Sequence, residues 1–145
     1  MGSIAKVRGP ASCTCFHLRK AARRVSQIYD HYLEPHGLTV TQYGLLGHLR
    51  AFDGVSVGGL ARKLVMDPTT LTRNLRPLER RGLVHSATDP GDRRNRKLSL
   101  TPAGRTAWTR ARPGWEGAQR QIANALGAEH SAALAAIIDA MLAKL

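Results

Sequence analysis

The sequence predicts a mainly α chain that carries one small β-hairpin. Three observations support that fold class. Apolar residues recur at three- and four-residue spacing over residues 13–33, 42–52, 102–126 and 129–145. Residues 67–82, DPTTLTRNLRPLERRG, hold a complete set of helix start and stop signals. Strand-like alternation is confined to residues 83–87 and 96–100, on either side of a turn-rich basic segment, residues 88–95.

Residues 1–12 read as a flexible arm, and residues 13–145 as a single domain. In the first helix Cys15, Leu18, Ala21, Ala22, Val25, Ile28, Tyr29, Tyr32 and Leu33 form one stripe, and Pro35 and Gly37 end it. Thr41 is placed to cap the next helix, whose apolar residues are Tyr43, Leu45, Leu46, Leu49 and Phe52. Asp53-Gly54 turns the chain into a short helix over residues 56–64, with Val57, Leu60, Ala61 and Leu64 inward. Val65, Met66 and Asp67 then make a tight turn.

The next helix organises the rest. Asp67 can accept the free N–H groups of its first turn, and Pro68 suits the first helical position. Leu71, Leu75 and Leu78 form its apolar stripe, Pro77 should bend its last turns, and Gly82 suits the left-handed position past its end. The opposite face carries Thr69, Thr70, Thr72, Arg73, Asn74 and Arg76. Short hydroxyls and an amide followed by guanidinium groups can meet base edges and phosphates in a major groove. Helix, short turn and polar-faced helix make a helix-turn-helix. The hairpin beside it, with Asp92, Arg93, Arg94 and Arg96 at or near its tip, makes a basic wing. The fold is therefore a winged helix-turn-helix.

After the wing, Thr101-Pro102 repeats the cap-then-proline start. Trp108, Ala111, Trp115, Ala118 and Ile122 continue a stripe that Pro113 and Gly114 should kink after Arg112. Gly127 ends that helix, and a final one carries Leu134, Ile137, Ile138, Met141, Leu142 and Leu145 on one side. Residues 41–101 form the DNA-binding lobe, while residues 13–34 and 102–145 are dimerisation helices. Their stripes call for a second copy of the chain. Two-fold symmetry would set two recognition helices roughly 34 Å apart, one DNA turn.

The net charge is +12, with a pI of about 11.0. Residues 55–105 hold eleven Lys or Arg against four acids, compared with seven against three before them and four against three after. The excess is densest on the proposed reading head, so double-stranded DNA is the expected partner. Apolar content of 43% with aromatics at 5% implies an aliphatic core. No apolar run approaches membrane-spanning length and residues 1–12 lack an apolar signal core, so a cytoplasmic protein with no membrane partner is expected. No nucleophile–base spacing, phosphate loop or acidic cluster points to an enzyme or a cofactor. Cys13 and Cys15 are too few for a disulfide framework. Cys13 and His17 are two potential ligands, which do not make a zinc site.

With these residues in place, the chain resembles the MarR family of bacterial winged-helix transcription regulators, from about residue 13 to residue 145. The resemblance rests on GLTVTQYGLLGHL, on LARKLVMDPTTLTRNLRPLERRGLV and on DPGDRRNRKLSLTPAG. It implies a dimer held by the terminal helices, binding a palindromic operator and repressing until a small ligand or an oxidant releases the DNA. By position, Thr69, Thr70, Thr72, Arg73 and Arg76 would contact the major groove and its phosphates. Arg94 would enter the minor groove, held by Asp92; arginine suits the enhanced negative potential of a narrow minor groove.

Two sensor chemistries are weighed. A small aromatic or carboxylate ligand would be held by Trp108, Arg112, Trp115, His17 and Tyr29. Alternatively, Cys15 resembles the cysteine of the organic-peroxide-sensing branch, and Tyr29 matches the tyrosine that partners it there. Val40 and Arg19 stand where that branch carries tyrosines. The helix start and Arg23 and Arg24 favour a thiolate, whereas burial beside Leu18 and Ala22 would disfavour charge. Cys15 is accordingly read as a packed residue, and the small ligand as the preferred effector. A DNA-binding protein without an effector is the third reading.

Overall fold

The computed structural model describes residues 12–145, apart from the side chains of Arg93 and Arg94. The expected arm lies outside the described residues except for Ser12. The chain runs α1 (Thr14–Leu33), a 3₁₀ turn (Glu34–His36), α2 (Val40–Ala51), β1 (Val55–Ser56), α3 (Val57–Lys63), α4 (Pro68–Arg80), β2 (Val84–Asp89), β3 (Asp92–Leu100) and α5 (Pro102–Lys144). The fold class is the one the sequence predicts.

The starts of the lobe's helices are chemically complete. Ser56 Oγ accepts Gly59 N–H at 3.0 Å at the head of α3. Asp67 Oδ2 accepts Thr69 N–H and Thr70 N–H at 3.0 and 3.1 Å at the head of α4. For α2 the cap is Thr39, not Thr41. Thr39 lies three residues before Gln42, so the two close a reciprocal capping box at 3.2 and 3.1 Å. Asp30 on α1 accepts Val40 N–H at 2.7 Å, which satisfies another free donor of that turn.

Both internal prolines lie within continuous helices, and the break expected after Arg112 is absent. α4 continues through Pro77 to Arg80, where Gly82 at φ 69° closes it and Leu83 N–H returns to the Leu78 carbonyl at 2.9 Å. In α5 the backbone stays helical through Pro113 and Gly114, and the interruption lies only at Gly127, φ 79° and ψ 164°. Pro113 itself is exposed and lacks the N–H for one helical hydrogen bond, while its neighbour Gly114 is buried against α1. At Gly114, α1 lies so close that an added Cβ would stand 2.6 Å from the Tyr32 carbonyl oxygen.

The sheet is antiparallel in the order β1-β3-β2. The wing strands are longer than their alternation suggested. The segment predicted as loop is mostly strand, with Thr88 paired to Arg96, and the turn is Pro90–Gly91, closed by Asp89 Oδ1 accepting Gly91 N–H at 2.9 Å. Ladder bonds hold a polar sequence extended where composition alone reads as loop. β1 is too short for periodicity to reveal; its Val55 pairs with Leu98.

The core is aliphatic, as the composition required. Leu33 and Leu38, the α2 leucines, Leu60, Ala61, the α4 leucines, Leu83, Val84, Leu98, Leu100 and Ala111 form one buried cluster, which a single aromatic residue, Tyr43, joins. The terminal helices are different. On α1, Cys15, Leu18, Ala21 and Ala22 are exposed, and burial is complete only at Leu33. Cys15 is therefore not packed within its own chain, contrary to expectation. The expectation about apolar runs also fails: α5 contains an 18-residue stretch of mean hydropathy 1.3, long and apolar enough to cross a membrane by length and composition. Alanines between the large apolar residues raise that mean while the large side chains keep helical spacing.

Candidate DNA interface and an aromatic cleft

Along its outer face α4 presents Thr69, Thr70, Arg73 and Arg76 to solvent. Its cap, Asp67, spends its carboxylate on backbone donors, and its stripe is fully covered, so the helix is held rigidly from behind. Neither Arg73 nor Arg76 forms an ion pair among the described residues. Thr72 is half-buried and donates its hydroxyl to the Pro68 carbonyl at 2.9 Å, which leaves its lone pairs free. Asn74 is half-buried and turned inward, its Nδ2 donating to Met66 Sδ at 3.9 Å. At the wing, Asp92 is exposed and opens β3. Arg93 and Arg94 sit in that strand, and the roles expected of their side chains lie outside the described residues. Arg96 is bound within the protein, to Ser86 Oγ and toward Glu79.

A second feature lies where α2 crosses α5. A cleft of about 590 Å³ is lined by Tyr43, Gly47, His48, Arg50 and Phe52 of α2 and by Trp108, Arg112 and Trp115 of α5. Tyr43 stacks on Trp108 and Trp115, with ring centroids 5.6 and 6.1 Å apart. The Arg50 guanidinium lies 4.7 Å from the centre of the Trp108 ring, a cation–π distance. Arg112 Nε donates to Glu116 at 2.9 Å. The indole N–H of Trp108 is buried beside Gly47 and has no hydrogen-bond partner among the described residues. Such an orphan donor costs about 1–3 kcal/mol until an acceptor reaches it. Burial pushes the Tyr43 phenol up, opposed by Arg112 and Arg50, so the phenol stays neutral.

Of the five residues expected to line a ligand pocket, Trp108, Arg112 and Trp115 line this cleft. The other two do not. Tyr29 donates to Gln119 on α5, with burial raising its phenol pKa, and His17 Nδ1 donates to the Cys13 carbonyl at 3.2 Å near the start of α1. Tyr29 also cannot partner Cys15 of the same chain. The two lie fourteen residues apart on one helix, about 21 Å along its axis. The described residues hold no cluster of three or more metal-ligating side chains. The α2 half of the cleft went unread in the sequence, although Tyr43, Gly47 and Arg50 fall at helical spacing and share a face.

Residues 36–95 match the MarR family. The transcriptional regulator MOSR of M. tuberculosis, solved in complex with DNA, is 34% identical over 92% of this chain and 99% of its own, with a TM-score of 0.76. The chain belongs to the MarR family. Curated relatives agree. The HTH-type transcriptional regulator SarZ of Staphylococcus haemolyticus is 31% identical over 62% of this chain and 61% of that protein. The transcriptional activatory protein BadR of Rhodopseudomonas palustris is 35% identical over 64% of this chain and 55% of its own length. The match thus spans only part of these relatives. Their names are those of transcription regulators, not enzymes. Within this MarR-family chain the matched residues take in α2 to α4 and the wing, the elements that carry the exposed threonines and arginines.

Proposed function

We propose that this chain is a cytoplasmic transcription regulator that binds a palindromic operator as a homodimer, with α4 in the major groove and the wing in the minor groove. The carrying observation is the capped α4, whose exposed Arg73 and Arg76 have no ion-pair partner among the described residues. The exposed apolar faces of α1 and of the end of α5 support the dimer. Repression is the sign we adopt, released by a small aromatic carboxylate in the α2–α5 cleft. Stacked rings offer it a π surface, and the exposed Arg50 guanidinium over Trp108 offers charge beside Arg112, which is already paired with Glu116.

The test begins with footprinting to find the operator. Arg73→Ala should then cost about 1–3 kcal/mol on the operator and much less on random DNA. Equal losses on both would reduce Arg73 to a phosphate contact. Titration with aromatic acids, their thioesters and cumene hydroperoxide separates the effector readings. The exposure of Cys15 favours one rival, in which peroxide releases the DNA from wild type but not from Cys15→Ser. Release by none of these compounds would favour a regulator without an effector.

A further inference from the structure

Arg96 belongs to a strand whose side chains alternate between faces. The pairs Val84↔Leu100, Ser86↔Leu98 and Thr88↔Arg96 share one face of the hairpin, and Val84, Leu98 and Leu100 are buried. Arg96 therefore continues the core-facing row, and Lys97 and Ser99 point the other way. Beyond Leu98 the core gives out. A cleft of about 260 Å³ opens there between α4, which contributes Thr69, Thr72 and Glu79, and β3, which contributes Arg96 and Leu98. Packing across an open cleft cannot set the angle of the outer hairpin. Arg96 reaches across it: one guanidinium nitrogen donates to Ser86 Oγ on β2 and stands 3.9 Å from Glu79 Oε1 near the end of α4. Glu79 itself calls for a reason. A carboxylate on a lobe that meets phosphates weakens its attraction for them, and the neighbour that Glu79 has is Arg96.

We propose that Glu79 and Arg96 are positioning residues for DNA binding, a brace that fixes the spacing between recognition helix and wing. That spacing sets the distance between the major-groove and minor-groove contacts, so the proposal rests on the DNA-binding reading. Arg96 then acts through the wing rather than on a phosphate. With side chains 50% and 27% exposed, the pair contributes little to folding stability, and its effect falls on geometry.

The experiment compares wild type, Glu79→Gln, Arg96→Ala and the exchanged pair Glu79→Arg with Arg96→Glu, by anisotropy titration on the operator over a range of salt. A brace predicts that Glu79→Gln weakens binding several-fold although it removes a repulsive charge. It predicts that Arg96→Ala weakens binding with an unchanged salt slope, and that the exchanged pair recovers affinity. Glu79→Gln binding as tightly as wild type or tighter, or a salt slope in Arg96→Ala smaller by about 0.9, the value of one lost phosphate contact, would overturn it. A second readout needs no DNA. Spin labels at Gly91→Cys and Thr70→Cys, with Cys13 and Cys15 replaced by serine, should give a broader distance distribution when Glu79→Gln is added. An unchanged distribution overturns the brace. A wild type that binds no DNA selectively, with the distribution still broadened, would instead count against the DNA-binding reading alone.

Discussion

Leu71, Leu75 and Leu78 on α4 and Leu134, Ile138 and Leu142 on α5 follow similar helical spacing, and the two rows meet opposite fates. The first is 0%, 2% and 0% exposed; the second is 45%, 40% and 67% exposed. An apolar stripe states that a face should be covered and leaves open what covers it. On α4 the cover comes from α2, α3 and the sheet, so the stripe is consumed within the chain. On α5, beyond Gly127, the described chain brings nothing over the stripe. The same contrast runs through α1, exposed at Phe16 and Leu18 and buried at Leu33, where it enters the lobe. The lobe is thus a finished unit, while the terminal helices keep exposed apolar faces, which the proposed dimer would cover.

The sharpest break of that contrast is Ile138→Asp with Leu142→Asp. If the terminal stripe is a dimer face, sedimentation should report monomer while the lobe keeps its circular dichroism. Operator affinity should then fall by about a hundredfold or more as the second half-site is lost. A double variant that stays dimeric would show that the stripe has another use. Asp67→Ala tests the finished half. It leaves two first-turn donors of α4 without their acceptor and should cost about 0.5–2 kcal/mol in denaturant unfolding. Operator binding should fall with it, because α4 loses its fixed start. The smallest effect is expected at the turn between α3 and α4. Val65 is 81% exposed and holds φ 50°, a left-handed conformation that disfavours a β-branched side chain. Val65→Gly should stabilise the lobe by about 0.5–1 kcal/mol, part of the strain being offset by the added flexibility of the unfolded chain. An unchanged or lower unfolding midpoint would show that Val65 makes a contact worth its strain.

The start, stripe and end of α4, and so most of its outward face, were legible because the signals are local: a cap at Asp67, a proline at the first position, three leucines in step and a glycine past the end. Asn74 escaped that reading because its inward turn depends on where Met66 lies, which the helical wheel does not show. Arg96 looked like one more wing cation by charge. Strand alternation from Leu98 and Leu100 already placed it on the inner face, but Glu79 as its neighbour required the register of the hairpin against α4. The aromatic cleft was half legible. Trp108, Arg112 and Trp115 lie within one helical stretch, whereas Tyr43, Gly47 and Arg50 come from α2 and meet them only through the crossing of two helices.

The sequence by itself determined the order of helices, the winged helix-turn-helix, the aliphatic core and the concentration of charge on the reading head. These follow from periodicity, capping and composition, which act over a few residues. Only the tertiary structure decided which threonine caps α2, that α5 passes Pro113 unbroken, that Cys15 stands exposed, and that Tyr29 turns to Gln119. Each of these depends on what a distant segment places alongside, and packing energies of that kind exceed the local preferences from which a sequence is read.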